Sequence, residues 1–293
     1  MRRLTWCVLL VVPCLLVLTT APGCSKEEKK KIAKKDGGNG KKPDGGPKTP
    51  LEAGDAVIKG VVVYNGDPPV PEEIAKMKAH ENAKGCLAGP ESEKVAQTWL
   101  VDKKTKGVAN VVIWLQPPAG KYFAVKEEDK KRSDPVVIDQ PHCAFVPHVV
   151  ALYPSYFDGK ALVKTGQKLK INNSAPFQHN TTWTGDGVDI KSKNFTIPPK
   201  GFELVPFDYE AVPNPLEIKC NFHTWMNGWI LFFDNPYHAV TKADGSFEIK
   251  NVPVGTDLTV VGWHEGTSPK EFYKEEKSFK KGDNTLDLKV KQK

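Results

Sequence analysis

Apolar residues in this chain fall in short runs, three to nine long, separated by Gly, Pro, Asn and Asp. That spacing reads as strands joined by turns. Ala56–Tyr64 (AVIKGVVVY) is rich in β-branched residues and stops at the turn Asn65-Gly66-Asp67. Thr98–Val101, the turn Asp102–Gly107 and Val108–Leu115 read as a hairpin. From Pro135 the runs crowd together: Val136–Ile138, His148–Tyr153, Gln167–Ile171, Phe202–Phe207, Leu216–Lys219 and Gly228–Phe233. After Pro236 come a hairpin over Val240–Ile249, then Val252–Gly255 and Leu258–Trp263. Pro71–Asn82 (PEEIAKMKAHEN) is the best helix candidate, with Pro and acids in its first turn and Ile74 and Met77 three apart. Residues 124–134 are mostly charged and read as a loop. No tandem repeat of 20–50 residues shows. The pattern is all-β, with a sandwich or barrel at its centre.

The first fifty residues break this pattern. Arg2 and Arg3 precede an apolar run, Trp6–Leu18, too short to span a bilayer at about 20 residues. A basic start, a short apolar core and small residues after it describe an export signal over 1–24. Thr20-Ala21-Pro22-Gly23-Cys24 resembles a bacterial lipobox, which implies a lipidated Cys24 as the first mature residue. The alternative is cleavage near Gly23 and release of a soluble protein. Residues 25–54 hold one Ile and one Leu among Lys, Gly and Pro, too little apolar surface to offset ordering entropy. They read as a disordered tether that lifts a folded region off a membrane.

Composition then narrows the class. The chain has 293 residues, 39% of them hydrophobic and 26% charged, which excludes a polytopic membrane protein and a wholly disordered one. Of the formal charge of +7, the leader carries +2 and the tether +4, leaving +1 for residues 55–293. The folded region is close to neutral, so the basic balance is no argument for nucleic-acid binding. Of six cysteines, Cys7 and Cys14 leave with the signal and Cys24 takes lipid. Cys86, Cys143 and Cys220 remain. The simplest resolution in an exported protein is a Cys86–Cys143 disulfide and a functional Cys220.

One constellation carries chemistry. Cys220, His223 and Met226 form C-x2-H-x2-M, and His179 lies about forty residues upstream. A thiolate, two imidazoles and a thioether are the donors of a trigonal His2Cys copper site with a weak axial Met. Met is a poor zinc ligand, and zinc sites favour more Cys or a carboxylate. Here the sequence resembles the cupredoxins, or blue copper proteins, over roughly Pro135–Pro236. The short ligand loop is of the amicyanin-like kind, and the hydrophobic strand Trp229–Phe233 follows it. The resemblance implies a Greek-key β-sandwich holding one mononuclear type 1 copper. It implies His179, Cys220 and His223 as equatorial ligands, Met226 as the axial one, and Asn180 as a lock on the ligand loop. It also implies single-electron transfer. Phe177, Trp183, Phe222, Trp225 and Trp229 crowd the site, either as sandwich core and a dry shell around the metal or as an exposed apolar patch around His223 where redox proteins dock.

The flanks look like a carboxypeptidase regulatory-like, transthyretin-like β domain: residues 57–69 like its beginning and residues 239–263 like its end. The expected organisation is an N-terminal β module over 55–134, a copper domain over 135–236 and a C-terminal β segment over 237–293. The flanks form either a second, smaller sandwich around an insertion or one continuous β structure. His142, His148 and His264 are further metal-ligand candidates, against the plainer reading of loop or core histidines. His80 and His238 carry no signal. A carrier is favoured over a catalyst, because Lys219 and Asn221, not His, flank Cys220 and one copper domain is visible. The rivals are a copper-delivery module, a structural or ligand-binding β protein, and a copper oxidase or reductase. The expected location is the cell envelope, lipid-anchored at a periplasmic or outer face.

Overall fold

The computed structural model describes residues 48–185, 190–206, 214–268 and 271–292. The export signal, Cys24, the tether up to residue 47, and Phe207 lie outside the described residues. The described chain is built of strands with a few single helical turns.

Four of its sheets stack as two pairs. In the first pair, one sheet runs Lys193–Ile197, His179–Trp183, Leu216–Lys219, Asn227–Phe232, Val149–Leu152. The other runs Phe202–Pro206, Lys168–Asn172, Val136–Asp139. Alternate residues of both meet in one core: Ile138, Leu169, Ile171 and Val205 from the smaller sheet, and Val150, Leu152, Trp183, Ile218, Ile230 and Phe232 from the larger. This is a β-sandwich.

The second pair takes strands from both ends of the described chain. Ala56–Tyr64 pairs with Ser246–Val252 on one side and with Gly282–Thr285 and Leu288–Val290 on the other. The facing sheet runs His238–Val240, Val112–Gln116, Asp257–Trp263, Tyr273–Ser278. Ile58, Val62, Ile249 and Leu288 pack there against Ile113, Leu115, Leu258 and Val260.

The period of two explains how the pairs join. Along Trp229–Phe233, Ile230 and Phe232 enter the first core, while Trp229, Leu231 and Phe233 point outward. Along Val112–Gln116, Ile113 and Leu115 enter the second core, while Val112 and Trp114 point outward. The outward residues, with Val149 and Trp263, form a third cluster between the sandwiches. A strand covered on both faces reads as an unbroken apolar run, and Trp229-Ile230-Leu231-Phe232-Phe233 is one.

Several elements differ from the sequence reading. Pro71–Asn82 is not one helix: Ala75–Lys78 and Ala83–Cys86 are separate four-residue turns. The first has no side-chain N-cap, and the disulfide at Cys86 fixes the path of the second. The hairpin over 98–115 reduces to a single bridge, Val101 to Val108; Gln97–Trp99 is a 3-10 turn and the strand is Val112–Gln116. Thr49–Leu51, assigned to the flexible tether, forms a parallel strand pair with Lys121–Phe123. Cys86 and Cys143 are joined by a buried disulfide.

Candidate metal centre

The strand Leu216–Lys219 runs antiparallel to Asn227–Phe232 with Lys219 opposite Asn227. The seven residues 220–226 therefore form the loop of a hairpin, and C-x2-H-x2-M is that loop. It is closed from within. The Met226 N–H donates to the His223 carbonyl at 2.8 Å, and the Cys220 N–H to the Met226 carbonyl at 3.3 Å. His179 opens the neighbouring strand, which meets Leu216–Lys219 through Thr182 and Lys219. Adjacency of strand ends brings His179 over the loop.

The donors converge on one sulfur. Cys220 Sγ lies 3.7 Å from His179 Nδ1 and 3.8 Å from His223 Nδ1. Donors about 2.0–2.3 Å from one ion are spaced in this way. Cys220 is the free cysteine of the described chain, 2% exposed, and Met226 is equally buried. The tautomer of His179 is set from behind: its Nε2–H donates to the His142 carbonyl at 2.6 Å, leaving Nδ1 with a lone pair. Burial lowers the His179 pKa to about 4; the bond to His142 opposes that shift. Burial, with His179 and His80 nearby, lowers that of His223 to about 3. Both imidazoles are thus neutral at ordinary pH, the form that binds a metal.

The surroundings fix this arrangement. Asn180 Oδ1 accepts the Asn221 N–H at 2.6 Å, and its Nδ2 donates to Asn194 Oδ1 at 2.8 Å. Asn173 Nδ2 donates to the carbonyls of Phe177 and Ile197, both at 2.9 Å, holding the turn before His179. Trp225 Nε1 donates to the Cys143 carbonyl at 3.2 Å, tying the ligand loop to the disulfide.

His223 is 0% exposed. The rings of His80, Trp225 and Phe177 surround it, with centroids at 4.6, 5.4 and 5.6 Å. Phe222, 44% exposed, is the open ring of the loop. His80 carries no motif. The pairing of Cys86 with Cys143 is the sequence feature that brings its segment here.

The further histidine candidates have other partners. His142 Nδ1 sits 2.9 Å from Glu93 Oε2, and its carbonyl, not its ring, serves the site. His148 Nε2 donates to Glu265 Oε1 at 2.6 Å. His264 Nδ1 accepts the Gly266 N–H at 3.2 Å, and its ring lies 4.2 Å from that of Trp99. These three rings do not join the Cys220 cluster. Instead, the disulfide sulfurs approach it. Cys143 Sγ lies within 4.8 Å of nitrogens of His179 and His223, and Cys86 Sγ within 4.8 Å of nitrogens of His80 and His223.

No protein-family model and no curated protein matches the chain. Among solved structures, it is similar to a reduced amicyanin variant at 16% identity, covering 41% of this chain and 99% of that one, with a TM-score of 0.28. Amicyanin from Paracoccus versutus gives 16%, 41%, 97% and 0.27. A copper-containing nitrite reductase from Thermus scotoductus gives 14% identity over 35% of this chain and 23% of that one, with a TM-score of 0.28.

Proposed function

We propose that the chain is a cupredoxin-type electron carrier that binds one mononuclear copper through Cys220, His179 and His223, with Met226 as the axial donor. The observation that carries this reading is the pair of Nδ1 atoms at 3.7 and 3.8 Å from one buried, unpaired thiol. A soft thiolate with two neutral imidazoles suits both Cu(I) and Cu(II), and copper held there would cycle between the two states. The chain's part is to hold the donors still. The closed loop, the Asn180 bond and the His142 carbonyl do so, which keeps reorganisation small when one electron arrives or leaves.

The burial of all four donors supports retention of metal over rapid delivery. Lys219 and Asn221 flank Cys220, so the chain has no His next to the thiolate to wire it to a second centre. Both features favour a carrier over a catalyst. Redox partners would meet the surface of Phe222, Trp225 and His80, since His223 lies beneath. The lipobox-like Cys24 supports work at a membrane surface of the cell envelope, with the Lys-rich stretch as tether.

Adding one equivalent of Cu(II) to the purified protein tests this. An intense thiolate-to-copper absorption that bleaches on reduction and returns on oxidation is expected. Cys220→Ser should lose the colour and keep the β dichroism. A Ser variant with the same visible spectrum overturns the ligand assignment. A colourless wild type without copper moves the weight to a structural or ligand-binding β protein.

A further inference from the structure

The Cys86–Cys143 disulfide is buried against the imidazoles of the site, at 0% and 1% exposure. As a disulfide its sulfurs are weak ligands; as thiolates they are strong, soft ones. Around them the structure already supplies imidazole nitrogens, those of His80 and His223 near Cys86 and those of His179 and His223 near Cys143.

We propose that reduction of Cys86–Cys143 opens a second soft-metal site, in which the two freed thiolates and His80 hold Cu(I) beside the first centre. His179 and His223 stay with Cys220, so His80 is the imidazole left over. It is half-buried, its ring 4.6 Å from that of His223. His80 Nδ1 accepts a long 3.2 Å bond from the Asn82 N–H, and metal binding at either ring nitrogen would end that bond.

The cleft does not depend on the S–S bond alone. The Cys86 N–H donates to the Asn82 carbonyl at 3.0 Å, and Trp225 Nε1 holds the Cys143 carbonyl. Gly85 packs so closely on Phe177 that an added Cβ would lie 2.2 Å from the ring. Glu93 grips His142, next to Cys143. These contacts keep the two sulfurs facing each other once the bond is cut.

The chemistry balances with a dithiol as reductant. The S–S bond breaks, and two electrons and two protons pass from the dithiol, which closes to its own disulfide. Cu(I) then displaces the two thiol protons, and its oxidation state does not change.

The inference is separable from the electron-carrier reading. The full chain with Cys7→Ser, Cys14→Ser and Cys24→Ser has Cys86, Cys143 and Cys220 as its cysteines. It is titrated with Cu(I) without oxygen against bicinchoninate, before and after treatment with dithiothreitol and its removal. One tightly held equivalent is expected before reduction and two after it. Cys86→Ser/Cys143→Ser should hold one in both states. X-ray absorption should show more sulfur per copper in the reduced wild type. His80→Ala should weaken the second equivalent about tenfold, and by more than it weakens the first. One equivalent in both states overturns the second site. So does a second equivalent that survives the double Ser variant, or a loss of β dichroism on reduction. No copper before reduction but one equivalent after it, lost in the double Ser variant, overturns the carrier reading and leaves this one standing.

Discussion

Glu265 Oε1 accepts a 2.6 Å hydrogen bond from His148 Nε2 across the boundary between the two sandwiches. The second oxygen accepts from Trp229 Nε1 at 2.7 Å, so one carboxylate from the 3-10 turn Glu265–Thr267 bonds two residues of the sandwich that carries Cys220. Burial pushes the Glu265 pKa up, but the bonds from His148 and Trp229 outweigh it and hold the group ionised. Trp229 follows the ligand loop by three residues, and its N–H donates to the His148 carbonyl at 2.9 Å. The outward face of the ligand-bearing strand is therefore anchored by the neighbouring sandwich.

Glu265→Ala strands two buried N–H donors. A buried donor left without a partner costs about 1–3 kcal/mol, and urea denaturation should register a loss of at least that order. Glu265→Gln keeps one acceptor and should cost less. A loss below about 1 kcal/mol for Glu265→Ala would show that solvent reaches the boundary, since exposed pairs are worth that little.

Legibility in the sequence followed from where the physics was local. The ligand loop could be read because its Cys, His and Met lie within seven residues of a hairpin turn. Trp229–Phe233 could be read because a strand covered on both faces is apolar throughout. His179–Trp183 (HNTTW) could not: its polar residues are buried because Gln140 and Asn194 bond to it and the next strand pairs with it. Lys193–Ile197 was hidden for a different reason: only Ile197 is deeply buried, so no apolar alternation marks it. The Pro71–Asn82 pattern suggested a helix, yet nothing local caps it and long-range contacts decide its path. His80 has no local signal at all. Its place depends on a disulfide between residues 57 apart.

Asn180 is the best test of how firmly the ligand loop is held. Asn180→Ala removes the acceptor for the Asn221 N–H, one residue past Cys220. A hydrogen bond of this kind is worth about 0.5–1.5 kcal/mol net, so metal-free stability should fall by roughly that amount. Copper affinity should fall about 10–100-fold, as for partners that orient ligands. Asn180→Asp keeps the oxygen and should restore most of the affinity. If Asn180→Ala binds copper with wild-type affinity and spectrum, the bond has no hold on the loop.

Gly85 tests the cover from the other side. A Cβ there would stand 2.2 Å from Phe177 Cε1, and the Phe177 ring lies 5.3 Å from His179 and 5.6 Å from His223. Gly85→Ala must therefore move the ring. Overpacking of this kind costs about 1–3 kcal/mol, and the visible spectrum of the copper form should shift with it. Gly85→Ala/Phe177→Leu, which gives the methyl room, should recover part of the stability. An unchanged melting profile in Gly85→Ala would mean that the 83–86 turn moves freely away from the site.

The stability of the metal-free protein should fall with acid in a defined window. His264 is 1% exposed, and burial lowers its pKa from 6.5 to about 4, with Glu265 opposing the shift and His148 adding to it. Its folded pKa lies below its unfolded value, so the unfolded chain binds the extra proton first. Stability is then full above about pH 6.5 and declines as pH falls towards 4, where the folded form also takes up the proton. A tenfold change in proton affinity corresponds to about 1.4 kcal/mol, so His264 alone accounts for a loss of roughly 3 kcal/mol across that window. His264→Asn removes the titrating group while keeping an acceptor for the Gly266 N–H. Urea midpoints for wild type and His264→Asn, measured between pH 7 and 4, should therefore converge as the pH falls. Parallel curves would show that the His264 ring is already protonated, or solvated, in the folded state.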